Sequence, residues 1–238
     1  MNCPICESQN HASIAVKNGF PIHRCAGCGV LFIHPFPSAQ ELSDFYSNYH
    51  KSKQYRDKLQ SKIKRARSRI ASLHRRGDLA FLVVGCNLGF ATEAGRMLGY
   101  RALGIDVDAD AVAWAQQHFP GAAFRAVGIE ALAAEGRKFD VVYCSEVIEH
   151  LVNPYEFLSS IRAVMADDGV LFLTTPDVGH FSLPKKIDKL VEWTTFRPPE
   201  HLIYFDKHSL AHLFRRAGFG SVKFRFGLKP TLKVVAKP

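Results

Sequence analysis

The chain has no apolar run approaching the ~20 residues a helix needs to cross a bilayer. Its opening, MNCPICESQN, has neither the basic start nor the apolar stretch of a secretory leader. The expectation is a soluble, cytoplasmic protein. Acid is nearly missing from one segment: between Lys51 and Arg76, eleven Lys or Arg residues face a single acid, Asp57, a net +10. The rest of the chain, with 20 basic and 21 acidic residues, sums to −1, so the formal +9 belongs to one stretch and not to the whole surface. What is plentiful is apolar side chain, 47% of 238 residues, enough for one full core and a small appendage.

Four of the six cysteines form two C-x-x-C pairs, Cys3 with Cys6 and Cys25 with Cys28, separated by eighteen residues. In a cytosolic chain this spacing points to a metal and not to disulfides. Each pair can offer two thiolates from a tight turn, and two turns complete the tetrahedral Cys₄ shell that Zn²⁺ favours. Such a shell has no open position, so the expected zinc is structural. Between the pairs, HASIAVKNGFPIHR alternates apolar and polar residues around Asn18-Gly19, the pattern of a hairpin, and VLFIHP reads as a further strand. The zinc-binding ribbon is expected over residues 1–36, folded by its metal because so short a piece buries too little apolar surface.

Residues 40–76 read as helix within a basic linker, 37–77. Leu59, Ile63, Ala66, Ile70 and Leu73 recur at spacings of 4, 3, 4 and 3, one apolar stripe with Lys and Arg on the other faces. A basic face can hold nucleic acid. The preferred reading is a helix that docks its stripe and leaves its charges in water, because Tyr46, Tyr49 and Tyr55 precede the densest charge and do not interleave with it.

From Leu79 onward strand and helix alternate: LAFLVVG, RALGID, AAFRAV, FDVVYC and GVLFLTTP read as strands, with helical segments between, then the helix DKHSLAHLFRRAGF and two closing strands. That rhythm predicts a doubly wound, mostly parallel sheet with ligands beyond the carboxyl ends of its strands. The first strand ends in G-C-N-L-G, Gly85 to Gly89. No G-K-[ST] follows, which excludes a P-loop, and Asn87 and Phe90 stand where a dinucleotide motif needs glycine. Gly85 permits a sharp turn and Gly89 a close helix start. Asp106, 21 residues beyond Gly85, ends the next strand, where a carboxylate accepts ribose hydroxyls. Adenosine with a ribose diol and no demand for phosphate describes S-adenosylmethionine (SAM).

The ordered segments LVVGCNLGF, GIDVDADAV, FDVVYCSEVIEHLVNPYEFL, DDGVLFLTTPD and PPEHLIYFDKHSLAHLFRRAGF resemble a class I SAM-dependent methyltransferase over residues 79–238. The likeness is to the small-molecule branch that includes the ubiquinone-biosynthesis O-methyltransferases, and the four-cysteine ribbon resembles one found ahead of some bacterial members. The resemblance implies a Rossmann-like α/β fold over 78–238, with seven strands and the last antiparallel. It implies SAM contacts from Gly85, Cys86, Asn87, Gly89, Asp106, Val107, Gly128, Ile129 and Cys144. Three positions depart from the family: Val83 replaces an acid, Asn87 a glycine, and Gly128 an acid that many members direct at the adenine. Asn tolerates positive φ, so Asn87 can keep the turn, and backbone groups at Gly128 and Ile129 can serve the adenine.

Methyl transfer needs alignment, exclusion of water and, for an alcohol or phenol, a base. In SEVIEH, a helical turn would put Glu146 and His150 on one face. In the ubiquinone branch this E-x-x-E-H is associated with a divalent cation, Mg²⁺ or Mn²⁺, which makes Glu146, Glu149 and His150 candidate ligands. Glu149 and His150 can equally hold the loop through backbone hydrogen bonds. His201, ahead of the last long helix, is the second candidate base, or a helix-entry histidine bound to backbone. Cys86 and Cys144 lie at strand ends, where packing is the default role. Residues 178–199 break the rhythm and read as a wall of the acceptor pocket, with Phe181, Trp193 and Phe196 as packing candidates. Lys185, Lys186, Lys189 and Arg197 suit an anionic acceptor or simply solvent.

Three functions remain open. The first is a methyltransferase acting on a small-molecule acceptor, on a hydroxyl oxygen, in secondary metabolism or in cell-surface sugar or lipid synthesis. The second is an RNA methyltransferase using residues 51–76; CSEVIEH is not the N-P-P-Y-type motif of amine-directed enzymes. The third is a non-catalytic SAM sensor, motivated by Val83 and Asn87.

Overall fold

The alternation after Leu79 is realised as a parallel core. In the computed structural model, which describes residues 2–38, 40–42, 59–75 and 77–238, strand β4 (Ala80–Val84) lies between β5 (Arg101–Asp106) and β7 (Phe139–Ser145). It is parallel to both, with Leu82 opposite Leu103 and Val142. Phe81, Leu82, Val83 and Val84 are all buried, as expected of a strand covered on both faces, which needs a continuous apolar run and no alternation. With β6 (Ala123–Ala126), β8 (Met165–Pro176), β10 (Ser221–Phe224) and β11 (Thr231–Lys237), the seven-stranded order is β10-β11-β8-β7-β4-β5-β6. The sheet is mostly parallel with its last strands antiparallel, the expected α/β Rossmann-like class.

The chain forms two compact units. One comprises Met1–Asn48, Glu146–Leu158 and Thr174–Val234, and the other Tyr49–Ser145, Ser159–Leu173 and Val235–Pro238. In the second unit, the basic helix spans Leu59–Ala71. Its stripe is docked: Ile63, Ala66 and Ile70 are buried in the cluster that contains Phe81, Val83, Tyr100 and Tyr143, with Leu59 and Leu73 partly buried beside them. The rest of the expected 40–76 helix, with Tyr46, Tyr49 and Tyr55, falls largely outside the described residues.

In the first unit, β1 (His11–Lys17) and β2 (Phe20–Cys25) form the expected hairpin, with Asn18 at φ 51° and Gly19 at φ 81°, the two positive angles of a type I′ turn. β3 (Leu31–Ile33) follows and pairs with a strand not foreseen, β9 (Ile203–Tyr204), giving the order β1-β2-β3-β9. Two residues carry no period, so β9 left no pattern to read. In the 178–199 segment of the same unit, Phe196 is buried and stacks on Tyr204 at 4.2 Å. Phe181 is exposed and lies parallel to Phe226. Phe196 is therefore an apolar seal, not a free packing surface.

Candidate active site and metal centre

The loop after β4 is closed by its own backbone. Its successive N–H groups are used within the protein: Cys86 N donates to Ile105 O, Asn87 N to Asp106 Oδ2 at 2.7 Å, Leu88 N to Asn87 Oδ1, and Gly89 N to Cys86 O. Gly85, Asn87 and Gly89 all have positive φ, at 70°, 49° and 78°. Asn87 thus replaces glycine without losing the turn, and its side chain closes one of the loop's own donors. Gly89 cannot be replaced, because a Cβ there would lie 2.8 Å from the Phe124 ring and 2.9 Å from Ala115.

Asp106 holds this loop and the next. Oδ2 accepts from Asn87 and Oδ1 from Asp108 N at 3.1 Å. A carboxylate has about four acceptor sites, so it can serve several donors at once. Beside it, the apolar side chain of Val107 is 82% exposed. A Cβ on Gly128 would sit 3.0 Å from Glu130 Oε2 and 3.8 Å from Val107, so the side-chain-free Gly128 leaves that space open. Ile129 and Cys144 are buried. Burial, then the Asp106 charge, pushes the Cys86 thiol far above its usual range; it is packing, not a nucleophile.

The sequence reading missed Arg69. On the docked helix, its guanidinium donates to Tyr143 Oη at 3.3 Å and to Ser145 Oγ at 3.2 Å, at the carboxyl end of β7. The available signal was its place beside Ile70 on the buried stripe, where a solvated charge is out of place.

SEVIEH does not form the expected α-helical face. Glu146 has φ 57°, and only Ile148–His150 is helical, as one 3₁₀ turn. Glu146 and His150 are therefore not stacked. Glu146 Oε1 accepts from Thr174 Oγ1 at 2.8 Å. What comes together instead is Glu149, His150 and His201, each with a donor atom within 4.8 Å of the others'. The two histidine rings meet edge-on at 4.7 Å.

Their hydrogen bonds fix the tautomers. His150 Nδ1 lies 2.8 Å from Glu200 O, so it carries the proton and leaves Nε2 as an acceptor, 3.9 Å from Glu149 Oε1. His201 Nε2 lies 3.2 Å from Arg197 Nη2, which can only donate, so its proton is on Nδ1. Glu149 Oε1 is buried with no hydrogen-bond partner among the described residues, while Glu149 Oε2 accepts from Thr175 at 2.9 Å. Burial pushes both histidines down, His150 to about 4 and His201 to about 3. Burial, reinforced by the Glu146 charge, raises Glu149 well above the carboxylate range. At neutral pH the two rings are neutral, and burial works against charge on the Glu149 carboxyl.

The four cysteines converge, with Sγ atoms 3.6 Å apart for Cys3–Cys28 and 3.4 Å for Cys6–Cys25, and all four within 4.8 Å. A tetrahedral Zn–S shell has edges of about 3.8 Å, so the donor set fits that ion closely. Both turns are built alike: Glu7 N donates to Cys3 O and Gly29 N to Cys25 O, with Glu7 and Gly29 at φ 62° and 77°. The Cys28 hydrogen bond pulls Cys3 down to about 5, and Cys28 is pushed up in return, two thiols sharing a proton that a cation would displace.

The chain matches the family described as a methyltransferase domain over residues 54–223. It is 32% identical over 103 residues to the ubiquinone biosynthesis O-methyltransferase of Glaesserella parasuis, covering 40% of this chain and 44% of that protein. It is 34% identical over 102 residues to the enzyme of the same name from Parvibaculum lavamentivorans, covering 41% and 40%. The match thus spans less than half the length of these relatives. Among solved structures, it is similar to a 1,6-didemethyltoxoflavin-N1-methyltransferase of Burkholderia thailandensis with bound 1,6-didemethyltoxoflavin and S-adenosylhomocysteine. That likeness has a TM-score of 0.60 at 19% identity and covers 94% of this chain and 98% of that one. A SAM-dependent methyltransferase of Archaeoglobus fulgidus gives 0.61 at 15%, covering 79% and 100%. At these identities the structures speak for the fold.

Proposed function

The chain belongs to the SAM-dependent methyltransferase family, and we propose that it methylates a hydroxyl oxygen of a small-molecule acceptor, with His150 as base and Zn²⁺ held structurally by Cys3, Cys6, Cys25 and Cys28. The observation that carries the chemical part is the His150 tautomer: Nδ1–H is bound to the Glu200 carbonyl, which makes Nε2 the basic nitrogen of the ring. Bound SAM supplies an electrophilic methyl group. The residues of the chain do the rest. Asp106 fixes the ribose, Val107, Gly128 and Ile129 offer an adenine face, and the loop from Gly85 to Gly89 keeps its own N–H groups occupied. His150 Nε2 takes the acceptor's hydroxyl proton as the carbon–oxygen bond forms, and Glu200 O steadies the imidazolium that results. His201 is buried against His150, and Arg197 already occupies its Nε2, so its part in this reading is to position the first ring.

The low basicity of His150 bears on the acceptor. A base near 4 is poorly matched to an aliphatic alcohol and better matched to a phenol, whose own pKa is about 10. We therefore favour a phenolic or enolic hydroxyl. The sign of the pH dependence follows. His150 is active when neutral, so kcat should stay flat through neutral pH and fall only as pH drops through about 4; an ordinary histidine would lose activity through about 6.5. A pH–rate profile with its acid limb near 6.5 would assign the proton transfer to another group.

A divalent cation at Glu149, His150 and His201 is the second reading, supported by the spacing of their donors. Mg²⁺ prefers an octahedron of oxygens, and here two imidazoles and a guanidinium on His201 oppose a hard ion. Mn²⁺ restoring turnover after brief chelation that leaves the cysteine zinc in place would favour this second reading.

SAM binding should depend on Asp106. Charge-assisted bonds to two hydroxyls are worth roughly 1.5–3 kcal/mol each, so Asp106→Ala should weaken SAM about ten-fold or more. Calorimetry showing unchanged affinity would move the ribose elsewhere.

The basic helix is proposed not to be a nucleic-acid site of physiological strength, since its stripe is docked and Arg69 is engaged by Tyr143 and Ser145. Arg65 and Arg67 are exposed and should give only weak, salt-sensitive binding. Sub-micromolar binding of structured RNA at physiological salt, lost in Arg65→Glu/Arg67→Glu, would return the RNA methyltransferase to first place.

A further inference from the structure

Three histidines that methyl transfer does not use converge on the N-terminal sheet. His11 lies on β1, His23 on β2, and His34 directly follows β3. Their ring centroids are 5.0, 5.4 and 6.0 Å apart, and the planes cross steeply, at 72°, 78° and 81°. His11 Nδ1 and His23 Nδ1 are 3.0 Å apart. His34 Nδ1 is buried with no hydrogen-bond partner among the described residues. Phe32, fully buried, packs at 5.3 Å from His11 and 5.9 Å from His23, so the cluster rests on an apolar floor.

The ring-centroid spacings come close to those of a tri-imidazole metal site. A tetrahedral ion about 2.0–2.1 Å from each nitrogen separates neighbouring nitrogens by about 3.3 Å and the ring centroids by about 5 Å. The His11–His23 pair falls short of the first value by about as much as the cysteine sulfurs fall short of theirs. An orphaned, buried Nδ1 is costly unless something fills its need, and a cation facing three rings on an apolar floor would do so.

We propose that His11, His23 and His34 form a second metal site, for a borderline divalent ion of the Zn²⁺ class, beside the four-cysteine shell. Three neutral imidazoles suit Zn²⁺, Co²⁺, Ni²⁺ or Cu²⁺ and not Mg²⁺ or Ca²⁺. Three protein ligands leave a fourth position to water. Among the described residues, the groups whose donors already lie within 4.8 Å of one another are the four cysteines and Glu149–His150–His201. The trio lies outside that limit, so taking the ion requires His34 to turn its ring towards the other two. It ties β1, β2 and the end of β3 together by a second cross-link.

The test is equilibrium dialysis of the zinc-loaded full chain against Co²⁺, with metal counted per chain and the visible d–d absorption recorded. The wild type should take up one Co²⁺ beyond its zinc. His11→Gln/His34→Gln should lose that ion and its bands while keeping the zinc, which reports that the module is folded. His150→Gln/His201→Gln should retain them. If the double variant of the trio sheds its zinc, His34→Gln alone decides by the same count. Absence of the extra ion in the wild type, its persistence in the trio variants, or its loss only in the His150/His201 variant overturns the site.

Discussion

Cys25→Ser, or removal of the zinc by a chelator, is expected to dissolve the sheet β1-β2-β3-β9 and to lower turnover, although no cysteine takes part in the chemistry. The ribbon is too short to fold on its own core, and structural zinc typically supplies about 10–16 kcal/mol of apparent binding energy at neutral pH. Within the first unit, the consequence reaches past residue 36. Ile33 N donates to Leu202 O at 2.9 Å, and Leu202 N donates to Glu149 O at 2.9 Å. Losing β3 therefore removes the strap on which His201 and Glu149 are hung. Arg216, on the last helix, donates to Ile5 O and to the Glu7 carboxylate of the first cysteine turn, so a second tether goes with the metal. SAM binding should survive, because Asp106 and its loop are held by Asn87 and Asp108 in the other unit. The measurements are zinc content, hydrogen exchange across residues 11–33 and 201–204, SAM calorimetry and turnover on one sample. Full turnover in protein shown to be free of zinc would sink the structural role.

How much was legible depended on whether a residue's task leaves a local pattern. The cysteine pairs did, because ligand spacing is a property of one turn, and the Asn18-Gly19 hairpin did, because two positive φ angles demand those residue types. The sheet did, through the apolar runs of strands covered on both faces. The docked helix was visible in its stripe, yet Arg69 hid among ten other basic residues, since only the fold shows which cation meets Tyr143 and Ser145. The E-x-x-E-H turn was misread in shape. Glu146 takes a left-handed angle that no spacing rule for glutamate announces, so the i, i+4 pair with His150 never forms. Its place is taken by Glu149, and by His201 from fifty residues further on, a pairing set by the 149–202 and 33–202 backbone bonds. Long-range pairs of that kind have no signature within a window of sequence.

His150→Ala is expected to cut turnover by about 10²–10⁴-fold, the usual contribution of one positioned base. SAM affinity should change little, since the Asn87 and Asp108 N–H groups hold Asp106 in place. His201→Ala should cost less than His150→Ala. Its Nε2 is engaged by Arg197 and its Nδ1 carries a proton, so it cannot accept one without a tautomer change. It acts by packing edge-on against the first ring at 4.7 Å. The two losses should not add, because both disable one proton acceptor. His150→Gln separates the base from the backbone bond: a glutamine amide can still donate to Glu200 O but cannot take a proton, so turnover should remain low while the fold is intact. Raising the acidity of the acceptor hydroxyl should rescue His150→Ala, because an acceptor already ionised at the assay pH needs no base. The measurement is a series of phenols of graded pKa against the wild type and both alanine variants. A dependence on acceptor pKa steeper in the variants than in the wild type supports proton removal by His150. Near-normal turnover in His150→Ala, His201→Ala and the double variant, with parallel dependence on acceptor pKa, would eliminate the general base and leave alignment of an ionised acceptor as the whole of this enzyme's task.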